Sequence, residues 1–167
     1  MISIVTGRPD VAIRNRALEL ARHQDVVFIG DPAPLLCKHL GWQTLYEMPP
    51  RTQTEARLAL LREHRARVEE GKAVFDHSVV GWLADWMRWH WSSTTTETWD
   101  GVMSEARSIA AMYDSVVHVE QGPPRGYDGH AWLDARNAAQ IEMLMRHLYE
   151  ELGLAGRLIY AGRALAA

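Results

Sequence analysis

Apolar residues fall along this chain in two alternating rhythms. Short β-branched runs at Ile2–Thr6, Val26–Ile29, Lys72–Phe75, Ser115–Val119 and Leu158–Tyr160 have the length and composition of buried strands. Between them the apolar positions recur at helical spacing. Ile13, Ala17, Leu20 and Ala21 mark a helix from Val11 to His23, with Asp10 as a natural N-cap. After Pro32 and Pro34 a short helix runs through Leu35, Leu36 and Leu40. Ala56, Leu60, Leu61, His64 and Val68 form the inward stripe of a charged helix from Thr52 to Glu70, which Gly71 ends. A strongly apolar helix is expected over Val79–Trp91, and further helices over Val102–Tyr113 and Asp134–Leu152. The polar run from Ser92 to Thr98 and the Pro/Gly-rich run from Gln121 to Gly129 read as loops.

Five strands alternating with helices predict a three-layer α/β domain, a parallel five-stranded sheet with helices on both faces. At 167 residues, with no repeat or linker, residues 1–167 are expected to form a single domain. A hydrophobic fraction of 47% and a net charge of −3 are ordinary for a globular protein. They give no global field to attract nucleic acid or an anionic membrane. No apolar run reaches the roughly 20 residues of a membrane span. The basic set is lopsided: Lys38 and Lys72 are its only lysines among 18 lysines and arginines, so a phosphate ligand here is expected to be an arginine. Cys37 is the single cysteine, which excludes an intramolecular disulfide and a cysteine-built zinc site. The eight histidines contain no His-Glu-x-x-His pair, so no metal site is expected. The cytoplasm is the expected compartment.

The turn after the first strand carries the first chemical question. Strand, glycine, loop and helix are laid out as in a phosphate-binding loop with the signature G-x-x-x-x-G-K-[ST]. Gly7 occupies the first position, but the second glycine is Ala12, the lysine is Ile13 and the hydroxyl residue is Arg14. The lysine supplies a point charge on the β- and γ-phosphates and the hydroxyl holds magnesium, and neither function survives in these residues. Asp10, capping the first turn, would occupy the N–H groups and the positive dipole end that otherwise receive phosphate. Arg8 and Arg14 are the charges available as replacements, or else solvated surface residues.

The order of elements and several looser motifs resemble the small P-loop nucleoside and nucleotide kinases, of the ATPase and thymidylate or deoxynucleoside kinase type, including those encoded by bacteriophages. The second strand of that family often ends in a carboxylate followed by proline near the acceptor substrate, which matches Asp31-Pro32. Its third strand commonly ends Asp-Arg-Ser, against Asp76-His77-Ser78 here. A lid loop and a long helix follow its fourth strand, which makes Arg125 or Arg136 the surviving lid cation. The resemblance implies catalytic roles for Asp31 and Asp76, as general base and magnesium ligand, and substrate contacts from His77, Trp82, Arg125 and Arg136. The competing role for each aspartate is to cap the turn or helix that follows. Trp82, Trp86 and Trp89 share one helical face, suited to stacking on a base, to packing in the core or to a homodimer seam. Two functions follow. The first is a degenerate kinase-fold pseudoenzyme that binds a nucleotide, a nucleoside or a macromolecular partner (nucleic acid included) without ordinary ATP hydrolysis. The alternative is an active nucleoside or nucleotide kinase with an unconventional donor site for ATP and Mg2+.

Overall fold

A computed structural model of the chain describes residues 1–7, 11–120 and 135–161. The sheet contains β1 (Ile2–Thr6), β2 (Val27–Ile29), β3 (Ala73–Phe75), β4 (Ser115–Val119) and β5 (Leu158–Ala161), in the order β2-β3-β1-β4-β5. All four neighbouring pairs are parallel. The three-layer parallel architecture expected from the alternating pattern is therefore observed. The helices are α1 (Val11–Gln24), α2 (Ala33–His39), α3 (Pro50–Glu70), α4 (Val79–Trp89), α5 (Thr96–Ala111) and α6 (Ala135–Glu151).

Strand alternation divides the interior in two. Ile2 and Ile4 of β1, with Ala73, Phe75 and Val116, face a large core built by α3 to α6, which includes Leu61, Leu83, Trp86, Ile109 and Leu148. Val5, Val74, Val117 and Val119 face the other way, onto Ile13, Ala17 and Ala21 of α1. The central strands β1 and β3 are buried throughout, whereas the edge strands are not: Val27 is 65% exposed and Ile159 56% exposed. That gradient explains why β1 reads so clearly as a strand and β2 as a shorter one than Val26–Ile29 suggests.

One expectation fails. The run from Ser92 to Thr98, polar and β-branched, does not form one loop. Ser93 closes a 3₁₀ turn, and α5 starts at Thr96, six residues before the expected start at Val102. The cause is a local cap: Thr95 Oγ1 accepts a hydrogen bond from the Thr98 N–H at 3.2 Å. Trp99, packed edge-on against Trp86 at 6.2 Å, then anchors this first turn to the core. The end of α3 is as expected, with Gly71 at φ +75°.

Candidate functional site

In a parallel sheet, ligands bind where the strands end, and the candidate carboxylates lie there. Asp31 follows β2 and Asp76 follows β3 directly. The register Ile29↔Phe75 sets the two strand ends side by side. A Cβ placed on Gly30 would lie 3.8 Å from Asp76 Oδ2, an ordinary contact distance, so the two loops run close together here. Asp31, Asp76, His77 and Trp82 are thereby brought together.

The two aspartates differ in what they do locally. Asp31 Oδ1 accepts the Ala33 N–H at 2.9 Å, so it does stabilise the turn into α2. Its second role remains available, because its surface is open to solvent. The protein mass around it nevertheless desolvates the carboxyl and raises its pKa; His77, the Ala33 N–H and hydrogen bonding from Trp82 pull the other way, while Asp76 adds to the rise. Asp76 caps nothing. The cap of α4 is Ser78, whose Oγ accepts from the Gly81 N–H at 3.0 Å. Asp76 instead lies beside the buried ring of His77, with Nδ1 at 3.3 Å from Oδ1.

Two residues behind His77, His64 and Tyr113, were not expected at a site. His64, on the inward stripe of α3, is fully buried and places Nδ1 3.0 Å from His77 Nε2. Its other nitrogen lies 2.6 Å from the Tyr113 hydroxyl, which also accepts the Val79 N–H at 3.3 Å. Burial, and then the charge of His77, hold His64 well below the usual histidine range. Trp82 stacks on His77 with centroids 5.0 Å apart, while Phe75 and Trp82 press edge-on against His64.

The tryptophan face divides as packing and site. Trp86 is core, 1% exposed, with its indole N–H on Thr94 Oγ1 at 2.7 Å. Trp89 carries Arg88 over its ring at 4.2 Å and meets Tyr46 edge-on. Trp82 is the one that stacks on His77 and hydrogen-bonds with Asp31. On the same helix Asp85 receives the buried Arg57 guanidinium of α3 at 2.8 Å and the Tyr46 hydroxyl. No spacing rule links Tyr46, Arg57 and Asp85, or His64 and Tyr113. Each pair joins elements distant in sequence, and only the topology reveals them.

The other side of the site, between β1 and α1, has a different character. Gly7 has φ +150°, and a Cβ there would meet the Val119 carbonyl oxygen at 2.9 Å and Ile13 Cδ1 at 3.1 Å. Ile13, at the position of the phosphate-loop lysine, is 3% exposed and packs into the apolar cluster with Val5, Ala17 and Val119. Arg14, at the hydroxyl position, is exposed. Arg8, Asp10 and Arg125 lie outside the described residues, as does the side chain of Arg136 in the first turn of α6. Thr6, just before Gly7, joins the two sides through a 2.8 Å hydrogen bond between its hydroxyl and that of Ser78.

A five-stranded parallel sheet in the order 2-3-1-4-5, with helices on both faces and a glycine turn after its central strand, is the P-loop kinase fold. Solved structures agree. NadR in complex with NR superposes with a TM-score of 0.69 at 12% identity, covering 95% of this chain and 43% of that one. NadR with NAD and AMP-PNP gives the same TM-score and identity over 99% and 45%. Deoxyadenosine kinase from M. mycoides with bound dCTP gives 0.64 at 9% identity, over 97% of this chain and 90% of that one. The chain spans less than half the length of the NadR chains. Neither a protein-family model nor a curated protein sequence matches it. No helix among the described residues is long and apolar enough to cross a membrane.

Proposed function

We propose that this chain is a kinase-fold protein that binds a nucleoside or nucleotide at the ends of β2 and β3, and that it does not use ATP in the ordinary P-loop manner. The observation that carries this reading is the burial of Ile13 in the apolar cluster under Gly7. A phosphate loop needs a cation at that position and a hydroxyl at the next. Here the first side chain belongs to the core and the second is the exposed Arg14. The residues present do not fit ATP and Mg2+, and no transfer step is drawn through them.

The acceptor side supports a retained binding function. Asp31 and Asp76 offer carboxylate oxygens to ligand hydroxyls, and Trp82 offers an indole face beside them. In this reading Arg125 and Arg136 are the lid cations. That the similar structures hold NR, NAD with AMP-PNP, and dCTP favours a nucleoside-like ligand.

Isothermal titration with ATP–Mg, then with the four deoxynucleosides and their 5′-monophosphates, tests the reading. The expected result is no heat from ATP–Mg and saturable heat from at least one nucleoside or monophosphate, lost in Asp76→Asn. Saturable ATP–Mg binding that Asp76→Asn leaves intact would overturn it.

A further inference from the structure

His64, buried behind His77, has no counterpart in the residues that suggested a kinase, and the protons of the pair can be placed. The Tyr113 hydroxyl is completely buried, and burial raises its pKa, so it keeps its proton. One of its lone pairs takes the Val79 N–H. Its own O–H needs an acceptor, because a buried unpaired hydroxyl is costly. His64 Nε2, at 2.6 Å, is the acceptor in reach. A neutral His64 accepting at Nε2 carries its hydrogen on Nδ1, and Nδ1 faces His77 Nε2 at 3.0 Å. His77 therefore accepts at Nε2, carries its hydrogen on Nδ1, and donates to Asp76 Oδ1. Every donor in the chain from Val79 points toward Asp76. The reverse order would aim the hydrogens of both Val79 and His64 at the Tyr113 oxygen and leave its own hydrogen unplaced.

We propose that Tyr113 and His64 are positioning residues for Asp76: they hold His77 as its Nδ1–H tautomer, which pins Asp76 Oδ1 and leaves Oδ2 to the ligand at the strand ends. Oδ2 is the oxygen on the Gly30 side of the carboxylate, the other being the one beside His77. Among the described residues, the titratable groups facing His77 are Asp76 beside it, Asp31 from the end of β2 and His64 from α3, with Tyr113 behind. The aromatic packing of Trp82 and Phe75 on the two rings keeps water from substituting for either partner. The role given to Asp76 rests on the strand-end binding site proposed above; the tautomers do not.

Long-range proton–nitrogen NMR on the full chain, labelled at histidine nitrogen, reads the tautomers without any ligand. At pH 7.5 both His64 and His77 are expected as single neutral Nδ1–H forms. In Tyr113→Phe, which removes the donor to His64 Nε2, His64 is expected to pass to a mixture of tautomers. An Nε2–H form, or a protonated ring, at either histidine in the unaltered chain overturns the proposal, as does a His64 tautomer unmoved by Tyr113→Phe. Deoxyadenosine titration then reads the consequence. His77→Leu is expected to weaken binding about tenfold, the worth of a hydrogen bond to a charged group. His77→Asn, whose amide can stand where Nδ1 stands, is expected to restore most of it. Equal losses in the two variants would overturn the positioning role. If neither deoxyadenosine nor any other of the deoxynucleosides and monophosphates binds the unaltered chain while the tautomers are as stated, the strand-end reading fails and the tautomer chain stands.

Discussion

The two halves of the strand-end cleft follow opposite rules. On the β1–α1 side, the apolar core reaches the turn itself: Ile13 fills the space that a side chain on Gly7 would take. On the β2–β3 side, polar side chains reach into the core: Asp76, His77, His64 and Tyr113 form one continuous chain ending at a backbone N–H. Buried polar groups persist only when each finds a partner, so a fully paired network at one strand end and an apolar plug at the next are two stable solutions. The comparison teaches that neighbouring strand ends of one kinase fold can be finished in opposite ways, one by polar pairing and one by apolar packing, and the proposed loss of the donor side rests on the second.

The largest expected effect comes from forcing the donor side back to its charged form. Ile13→Lys buries an ammonium without a partner, and the loss of stability in urea denaturation is expected to exceed about 3 kcal/mol. A variant that folds with unchanged stability and gains ATP–Mg binding would erase the contrast. Next in size is the ion pair behind the acceptor side. Arg57→Met takes the cation from Asp85, which is only partly exposed and keeps the Tyr46 hydroxyl, and is expected to cost about 3 kcal/mol, while the double variant Arg57→Met/Asp85→Leu recovers part of it. Tyr113→Phe removes two buried hydrogen bonds, to His64 Nε2 and from the Val79 N–H, for about 2 kcal/mol by the same measurement.

The acid limb of the stability curve sharpens the comparison further. His64 is held neutral in the fold, below the ordinary range, so the unfolded chain binds its proton first as pH falls. Stability is thus full above about pH 6.5 and declines below it by about 1.4 kcal/mol per pH unit for that group. His90, lowered mainly by burial and then by Arg57, acts in the same direction. Glu142, held low chiefly by its hydrogen bond with His118, contributes stability that is lost only below the usual carboxylate value of 4.5. Replacing His64 by Phe is expected to flatten the first of these declines between pH 6.5 and 5 and leave the last unchanged, as thermal melts across pH would show. The smallest effect on stability is expected for Asp31→Asn, within about 0.5 kcal/mol, because Asn keeps an oxygen for the Ala33 N–H.

Much of this molecule was legible in its sequence, and the limits have physical causes. The strands and the helices between them announce themselves because each buries one face, and Gly71 announces its stop because its backbone needs a positive φ. The position of Asp31 and Asp76 at strand ends was legible because the apolar runs stop just before them. The start of α5 was hidden, since a capped polar turn looks like a loop until its cap is seen. His64 was counted among the apolar stripe of its helix, correctly for burial, but its partners His77 and Tyr113 lie 13 and 49 residues away. Arg57 and Asp85 have a separation of 28. No periodicity encodes such pairs; they exist only once the sheet order has set α3 against α4.

The central claim is that the turn between β1 and α1 is closed to the phosphates of ATP by its own core packing. A crystal structure of the chain soaked with a non-hydrolysable ATP analogue and Mg2+ tests this most directly. The account predicts no phosphate density between Gly7 and Arg14, with Ile13 still packed beneath Gly7. Density for β- and γ-phosphates seated in that turn, with Ile13 displaced, would contradict it.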